Sequence, residues 1–130
     1  MTMSDELRDQ RTMLLTTYRS DDSPVGTPVN VAVGDGHAYL RTWDTSGKAR
    51  RMDRQPNVTV AASTPRGTQT GRTVTATARQ LTSEEARAAA RLIDRKYPIV
   101  QRLLVPMAHR LRRVKTVHYE LTFDEDDARS

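Results

Sequence analysis

The stretch that decides the fold reads Gly34-Asp35-Gly36-His37-Ala38-Tyr39-Leu40-Arg41-Thr42-Trp43, then Asp44-Thr45-Ser46-Gly47-Lys48-Ala49-Arg50-Arg51-Met52-Asp53-Arg54-Gln55-Pro56, then Asn57-Val58-Thr59-Val60-Ala61-Ala62-Ser63. Gly34-Asp35-Gly36 is a tight-hairpin signal, so 37–43 is a strand antiparallel to whatever precedes it. The strand stops at a small polar turn. A short basic helix over 47–54 follows and ends before Pro56, which disfavours helix in the residue ahead of it. Residues 57–63 then return to a strand.

The start of that helix carries the chemistry. The first backbone N–H groups of a helix have no internal partner, and the dipole adds partial positive charge there. Lys48 and Arg51 are three residues apart and share a helix face. A phosphate at this point would meet free amides around Gly47, the Ser46 hydroxyl and two cations. The pattern fits the seat of a phosphorylated cofactor; the competing reading is a solvated basic face.

Working outward, 25–33 reads as one strand, with Val25, Val29, Val31 and Val33 at period two. Residues 13–18 form the strand before it, across turn formers at 19–24. A helix or arm covers 4–10. Beyond the central stretch, 64–71 is a loop and 72–81 a strand rich in Thr and small residues. Thr82 and Glu85 fit a capping box for a helix reaching about Lys96 and stopping before Pro98. A second helix over 99–113 carries Leu103, Leu104, Met107 and Leu111 on one face and is kinked at Pro106. Residues 115–123 are a last strand and 124–130 an acidic tail.

Six strands with flanking helices in 130 residues imply a mainly β, six-stranded antiparallel split barrel: one domain over 1–130, with its core at about 11–123. A barrel of this size is filled by its own side chains, so a ligand is expected on its outside.

Composition narrows the function. A net charge of +5 raises nucleic acid as a partner, but aromatics at 5% are too few for a stacking platform. A non-catalytic basic module remains the second alternative, and no nucleic acid partner is expected. The absence of cysteine excludes disulfides and thiolate metal sites. His37, His109 and His118 have no metal-ligand spacing, so no metal is expected. Ser46 has no base pattern beside it, which argues against nucleophilic catalysis. Asn30 interrupts an apolar strand and, on an inward face, needs a partner. Arg41 points away from the face of Leu40 and Thr42, into solvent or towards an anionic ligand. Arg110, Arg112, Arg113 and Lys115 are read as cations favoured at a helix C-terminus. No apolar run reaches the roughly 18 residues of a membrane span. The acidic, polar Met1-Thr2-Met3-Ser4-Asp5-Glu6 is unlike a signal peptide, so a cytoplasmic location is expected.

Several segments, taken in order, resemble one family. They are Leu15-Thr16-Thr17-Tyr18-Arg19 with Gly26-Thr27-Pro28-Val29; Leu40-Arg41-Thr42 with Ser46-Gly47-Lys48-Ala49-Arg50-Arg51; Arg54-Gln55-Pro56-Asn57-Val58-Thr59-Val60; Arg66-Gly67 to Gly71 with Ala76-Thr77-Ala78; and Lys96-Tyr97-Pro98 with Val117-His118-Tyr119-Glu120-Leu121. Over roughly 11–122 the chain resembles the pyridoxamine-phosphate-oxidase-like split-barrel family, of the FMN-binding split-barrel type. Within it, the chain is most similar to the actinobacterial coenzyme F420-dependent oxidoreductases. The resemblance implies a homodimer with a cofactor groove at its interface. It also implies hydride transfer between a deazaflavin and a small organic substrate, with FMN binding or flavin carriage as the alternative. Carried over residue by residue, it assigns Ser46, Gly47, Lys48 and Arg51 to phosphate. It assigns Thr27, Pro28, Asn30, Arg41 and Thr42 to the ring, with the 66–71 loop reaching in from the partner chain.

Overall fold

The structure is a computed structural model that describes residues 2–97 and 115–124. Its elements are α1 (Met3–Arg8), β1 (Thr12–Tyr18), β2 (Pro24–Asn30), β3 (Ala32–Gly34), β4 (His37–Trp43), α2 (Gly47–Arg54), β5 (Asn57–Ser63), β6 (Val74–Gln80), α3 (Ser83–Lys96) and β7 (Thr116–Phe123). The strands form one antiparallel sheet in the order β2-β1-β5-β6-β7-β4-β3. β2 and β3 lie at opposite edges, yet only Val31 separates them in sequence. The sheet must therefore curl until its edges approach, giving a half-open barrel.

The strand count is seven, not the expected six. The period-two pattern at Val29, Val31 and Val33 runs straight through a corner. Asn30 still pairs with Thr12 of β1, whereas Ala32 pairs with Tyr39 of β4. At the corner Val31 and Ala32 are both buried, which breaks strand alternation. The carbonyl of Val31 faces no strand. It accepts instead from Lys96 Nζ at 2.8 Å and from the Tyr97 hydroxyl at 2.7 Å, both at the end of α3. Lys96 Nζ also donates to the carbonyls of Arg8 and Gln10 just past α1. Three elements are tied at one ammonium.

The inward faces supply the core: Met13 and Leu15 of β1, Val29 of β2, Leu40 of β4, Val58 and Val60 of β5, Ala76 of β6, and Tyr119 and Leu121 of β7. Met3 and Leu7 of α1 and Ala49 and Met52 of α2 complete it. The Tyr119 hydroxyl donates to Asp53 of α2 at 2.7 Å. α3 lies outside, against β3, β4 and β7, where Ile93 and Tyr97 cluster with Ala32. The β3–β4 hairpin turns through Asp35 (φ 53°) and Gly36 (φ 79°), the left-handed pair that matches strand twist.

β6 begins at Val74 rather than at 72. The Gln69 side chain donates to the carbonyl of Gly71 and to the Thr73 hydroxyl, holding 71–73 as loop. The expected helix over 99–113, with Pro106 and His109, the cluster at Arg110, Arg112 and Arg113, and the tail over 125–130 lie outside the described residues. Among the described residues no helix is long and apolar enough to cross a membrane.

Candidate functional site

The strand–turn–helix unit read from the sequence forms as expected, and its caps decide what it offers. Ser46 is the N-cap of α2. Its Oγ accepts from the amide of Ala49 at 3.1 Å and from the Thr42 hydroxyl at 3.1 Å. The oxygen is therefore committed to the cap, and only its own O–H remains to donate. Among the described residues the amides of Gly47 and Lys48 have no hydrogen-bond partner, the usual state of the first helical residues.

Arg51 folds back across this start. A Cβ on Gly47 would stand 2.6 Å from Arg51 Nη1, so glycine makes room for the guanidinium. Arg51 Nε donates to Thr17 Oγ1 at 2.6 Å, and Thr17 is an inward residue of β1 with 1% exposure. Burial, then the charges of Arg19 and Arg54, hold the Arg51 guanidinium below the usual arginine range. Lys48 is half-buried and pairs with no carboxylate among the described residues. Burial, then Arg51, lowers its ammonium in the same sense. Burial is the larger cause for both, and the like charge of neighbouring cations adds to it; a nearby anion would act in the opposite sense.

Two cavities open beside this helix. One, of about 180 Å³, is lined by Pro28, Val29, Asn30, Arg41, Lys48, Ile93 and Tyr97. The other, of about 200 Å³, is lined by Arg41, Thr42, Trp43, Lys48 and Thr116. Sharing Arg41 and Lys48, they are two lobes of one groove. It runs past the seam between β2 and β4, with α3 as its outer wall. Trp43 is the chain's one tryptophan, so the groove carries its own fluorescent reporter.

Arg41 lies between the lobes, its side chain only 11% exposed, with Nη2 2.9 Å from Asp94 Oδ1 on α3. The charges touch, but neither atom satisfies hydrogen-bond geometry, so the contact is Coulombic rather than a well-aligned bond. His118 of β7 stands opposite Arg41 in register. Its buried Nε2 has no partner. Burial, then Arg41, lowers its pKa, and Asp94 opposes them.

The structure brings Pro28, Asn30, Arg41, Thr42 and Lys48 together around the groove, with Ser46 and Gly47 at the helix start beside it. Thr27 is not with them. It pairs with Leu15 on the other face of β2 and lines neither lobe. Asn30 is exposed, which corrects the expectation of an inward polar residue: the alternation of β2 puts Asn30 on the outward set with Pro28. Arg51 reaches the site across Gly47 and does not line the lobes. The loop over 66–71 folds onto its own chain, with Gly67 beside Pro28 and Gln69 bridging to Ser63.

Ile93, Asp94, Tyr97 and Trp43 were not singled out as site residues from sequence. The i, i+4 spacing of Ile93 and Tyr97 marks a common face of α3, but nothing in the sequence says that this face meets β2. A third cavity, of about 190 Å³, lies under α3 and is lined by Asp35, Tyr39, Glu85 and Glu120 with Leu92 and alanines. Its carboxylates Glu85 and Glu120 are paired with Arg79. Burial, then Glu120, pushes the Tyr39 hydroxyl up to about 12. Among the described residues no group of three or more His, Asp or Glu side chains is placed to hold a metal.

Residues 2–120 match the family model described as pyridoxamine 5'-phosphate oxidase. No curated protein matches the sequence significantly. Solved structures do, across 51 chains. A conserved hypothetical protein of Mycobacterium tuberculosis superposes with a TM-score of 0.68 at 23% identity, covering 94% of this chain and 78% of that one. The heme storage protein HutZ of Vibrio cholerae gives a TM-score of 0.71 at 12% identity, covering 95% and 92%. A heme binding protein of Mycobacterium smegmatis gives 0.65 at 13%, covering 86% of this chain but 46% of that one. At these identities the structures establish a shared fold.

Proposed function

The chain belongs to the pyridoxamine 5'-phosphate oxidase family, and on that premise we propose that the groove beside α2 holds a phosphorylated deazaflavin of the coenzyme F420 type. In this reading the chain is an oxidoreductase acting on a small organic substrate. The observation that carries the proposal is the pairing of unpartnered amides at Gly47 and Lys48 with a half-buried Lys48 that has no carboxylate partner among the described residues. That combination matches a phosphate: backbone donors, a helix dipole and a cation in one place.

The residues present fit such a cofactor. Lys48, the Gly47 and Lys48 amides, the Ser46 O–H and Arg51 would take phosphate. Pro28, Asn30, Arg41, Thr42, Trp43 and Tyr97 would face the ring. The cofactor, when bound, supplies hydride transfer, and the protein supplies orientation, water exclusion and electrostatics.

Arg19 and Arg54 lie close enough to Arg51 to add positive charge around it, and Arg51 and Arg54 form no ion pair among the described residues. This favours a ligand whose side chain carries further negative charge, the deazaflavin, over FMN. Each lobe falls below the roughly 300–1,000 Å³ of ordinary ligand sites, which supports completion of the groove by a second copy in a homodimer.

The test is a titration of Trp43 fluorescence with F420 and with FMN. Losing a charge-assisted bond of about 1.5–3 kcal/mol, Lys48→Ala weakens F420 roughly 10- to 150-fold. An unchanged affinity refutes the seat. Tighter FMN than F420 binding shifts the reading to a flavin protein.

A further inference from the structure

We propose that Asp94 determines the groove's specificity by charge compensation: it cancels Arg41 within the wall. The groove then offers an uncompensated anion site only at α2 and a neutral polar wall at Arg41. The ligand class that fits carries its phosphate and carboxylate charge at one end and a polar ring free of such groups at the other. The inference rests on reading this groove as the cofactor site and names what sets its selectivity.

Among the described residues the buried side-chain atoms left without a hydrogen bond are Arg41 Nη2, Asp94 Oδ1 and His118 Nε2. All three belong to one cluster. Arg41 and Asp94 are 2.9 Å apart across the gap between β4 and α3, and His118 is the register partner of Arg41 on β7. Buried polar atoms are ordinarily satisfied, so a touching pair of orphans, with a third on the neighbouring strand, needs a reason. A pair selected for hydrogen bonding would be aligned; this one is close and misaligned, so charge is what it provides. Without Asp94, the wall would present Arg41 to both lobes as a second cation beside Lys48. His118 adds none, because burial and Arg41 disfavour its protonation.

A merely structural pair between α3 and β4 makes a different prediction, because removing either partner would then weaken binding. Compensation predicts opposite signs. The experiment follows Trp43 fluorescence during titration with sodium sulfate, at ionic strength held constant with sodium chloride. Asp94→Asn exposes the charge of Arg41 and tightens sulfate about tenfold. Arg41→Met leaves Asp94 uncompensated and weakens sulfate by a similar factor. The Arg41→Met/Asp94→Leu double variant removes both charges and returns to within about threefold of wild type. Far-UV circular dichroism accompanies each titration. If Asp94→Asn does not fold, the Arg41→Met variant and its rescue decide the matter. Failure of the double variant to rescue, or weaker sulfate binding by a folded Asp94→Asn protein, overturns the proposal. Lys48→Ala is read separately with F420. If it changes nothing, the cofactor seat is wrong, whereas the sign of the Asp94 effect still reports compensation.

Discussion

Replacing Lys96 with methionine tests how the barrel corner is held. The ammonium donates to the carbonyls of Val31, Arg8 and Gln10, and methionine keeps much of the stem without a donor. Charge-assisted bonds are worth about 1.5–3 kcal/mol each when buried. These three do not lose that much apiece: Val31 keeps the Tyr97 hydroxyl, whose one hydrogen it shares with the Arg11 carbonyl, and water replaces the donor at the exposed Arg8 carbonyl. The burial that depresses the Lys96 pKa also marks a desolvation cost that methionine does not bear. The net loss expected is about 2–3 kcal/mol. With a urea m-value of about 1–3 kcal/mol/M, that lowers the midpoint by about 1–2 M. Urea unfolding followed by far-UV circular dichroism and Trp43 fluorescence measures it. Tyr97→Phe costs less, about 1 kcal/mol. The double variant exceeds the sum of the singles, because only then is the Val31 carbonyl left with neither donor. A Lys96→Met midpoint within a few tenths of a molar of wild type would refute the idea that α3 pins the corner.

Gly47→Ala places a methyl where the Arg51 guanidinium lies. Stability stays within about 1 kcal/mol, helix propensity offsetting the lost Thr17 bond, while F420 affinity drops several-fold by fluorescence titration. Tyr119→Phe frees Asp53 and costs about 1–2 kcal/mol in urea unfolding. The fold holds His118 neutral more firmly than the unfolded chain does, below its ordinary 6.5. The unfolded state therefore binds that proton first, and stability declines as pH falls below about 6.5. His118→Gln flattens the urea midpoint between pH 7.5 and 5. Glu85, lowered to about 2 by Arg79, then Thr82, contributes stability that is lost only as pH falls below its ordinary 4.5, a separate window.

Local signals carried much of the fold. The Asp35-Gly36 turn, α2 at 47–54 and β5 at 57–63 are read from turn chemistry, a proline stop and alternation, and each forms where expected. The end of α3 at Lys96 is legible from Pro98. The corner at Val31 is not, because it is set by which strands pair on either side, and valines at period two look the same through a bend. The site divides along the same line. Pro28, Arg41, Thr42, Ser46, Gly47 and Lys48 belong to local motifs whose geometry the chain itself dictates. Ile93 and Tyr97 line the groove, and Asp94 reaches Arg41, only because α3 packs on the far edge of the sheet, a contact across more than fifty residues of sequence from Arg41. Asn30 is outward by the plain alternation of β2, and Thr27 lies on the inward set with Val29, one pair further from the corner.

The central claim is that phosphate of a deazaflavin rests on the start of α2. A crystal structure of the chain with F420 tests it directly. The account predicts phosphate oxygens within hydrogen-bond distance of the Gly47 and Lys48 amides and of Lys48 Nζ, with the ring in the lobes beside Arg41 and Trp43. A structure in which F420 occupies another surface while the start of α2 holds only solvent would contradict it.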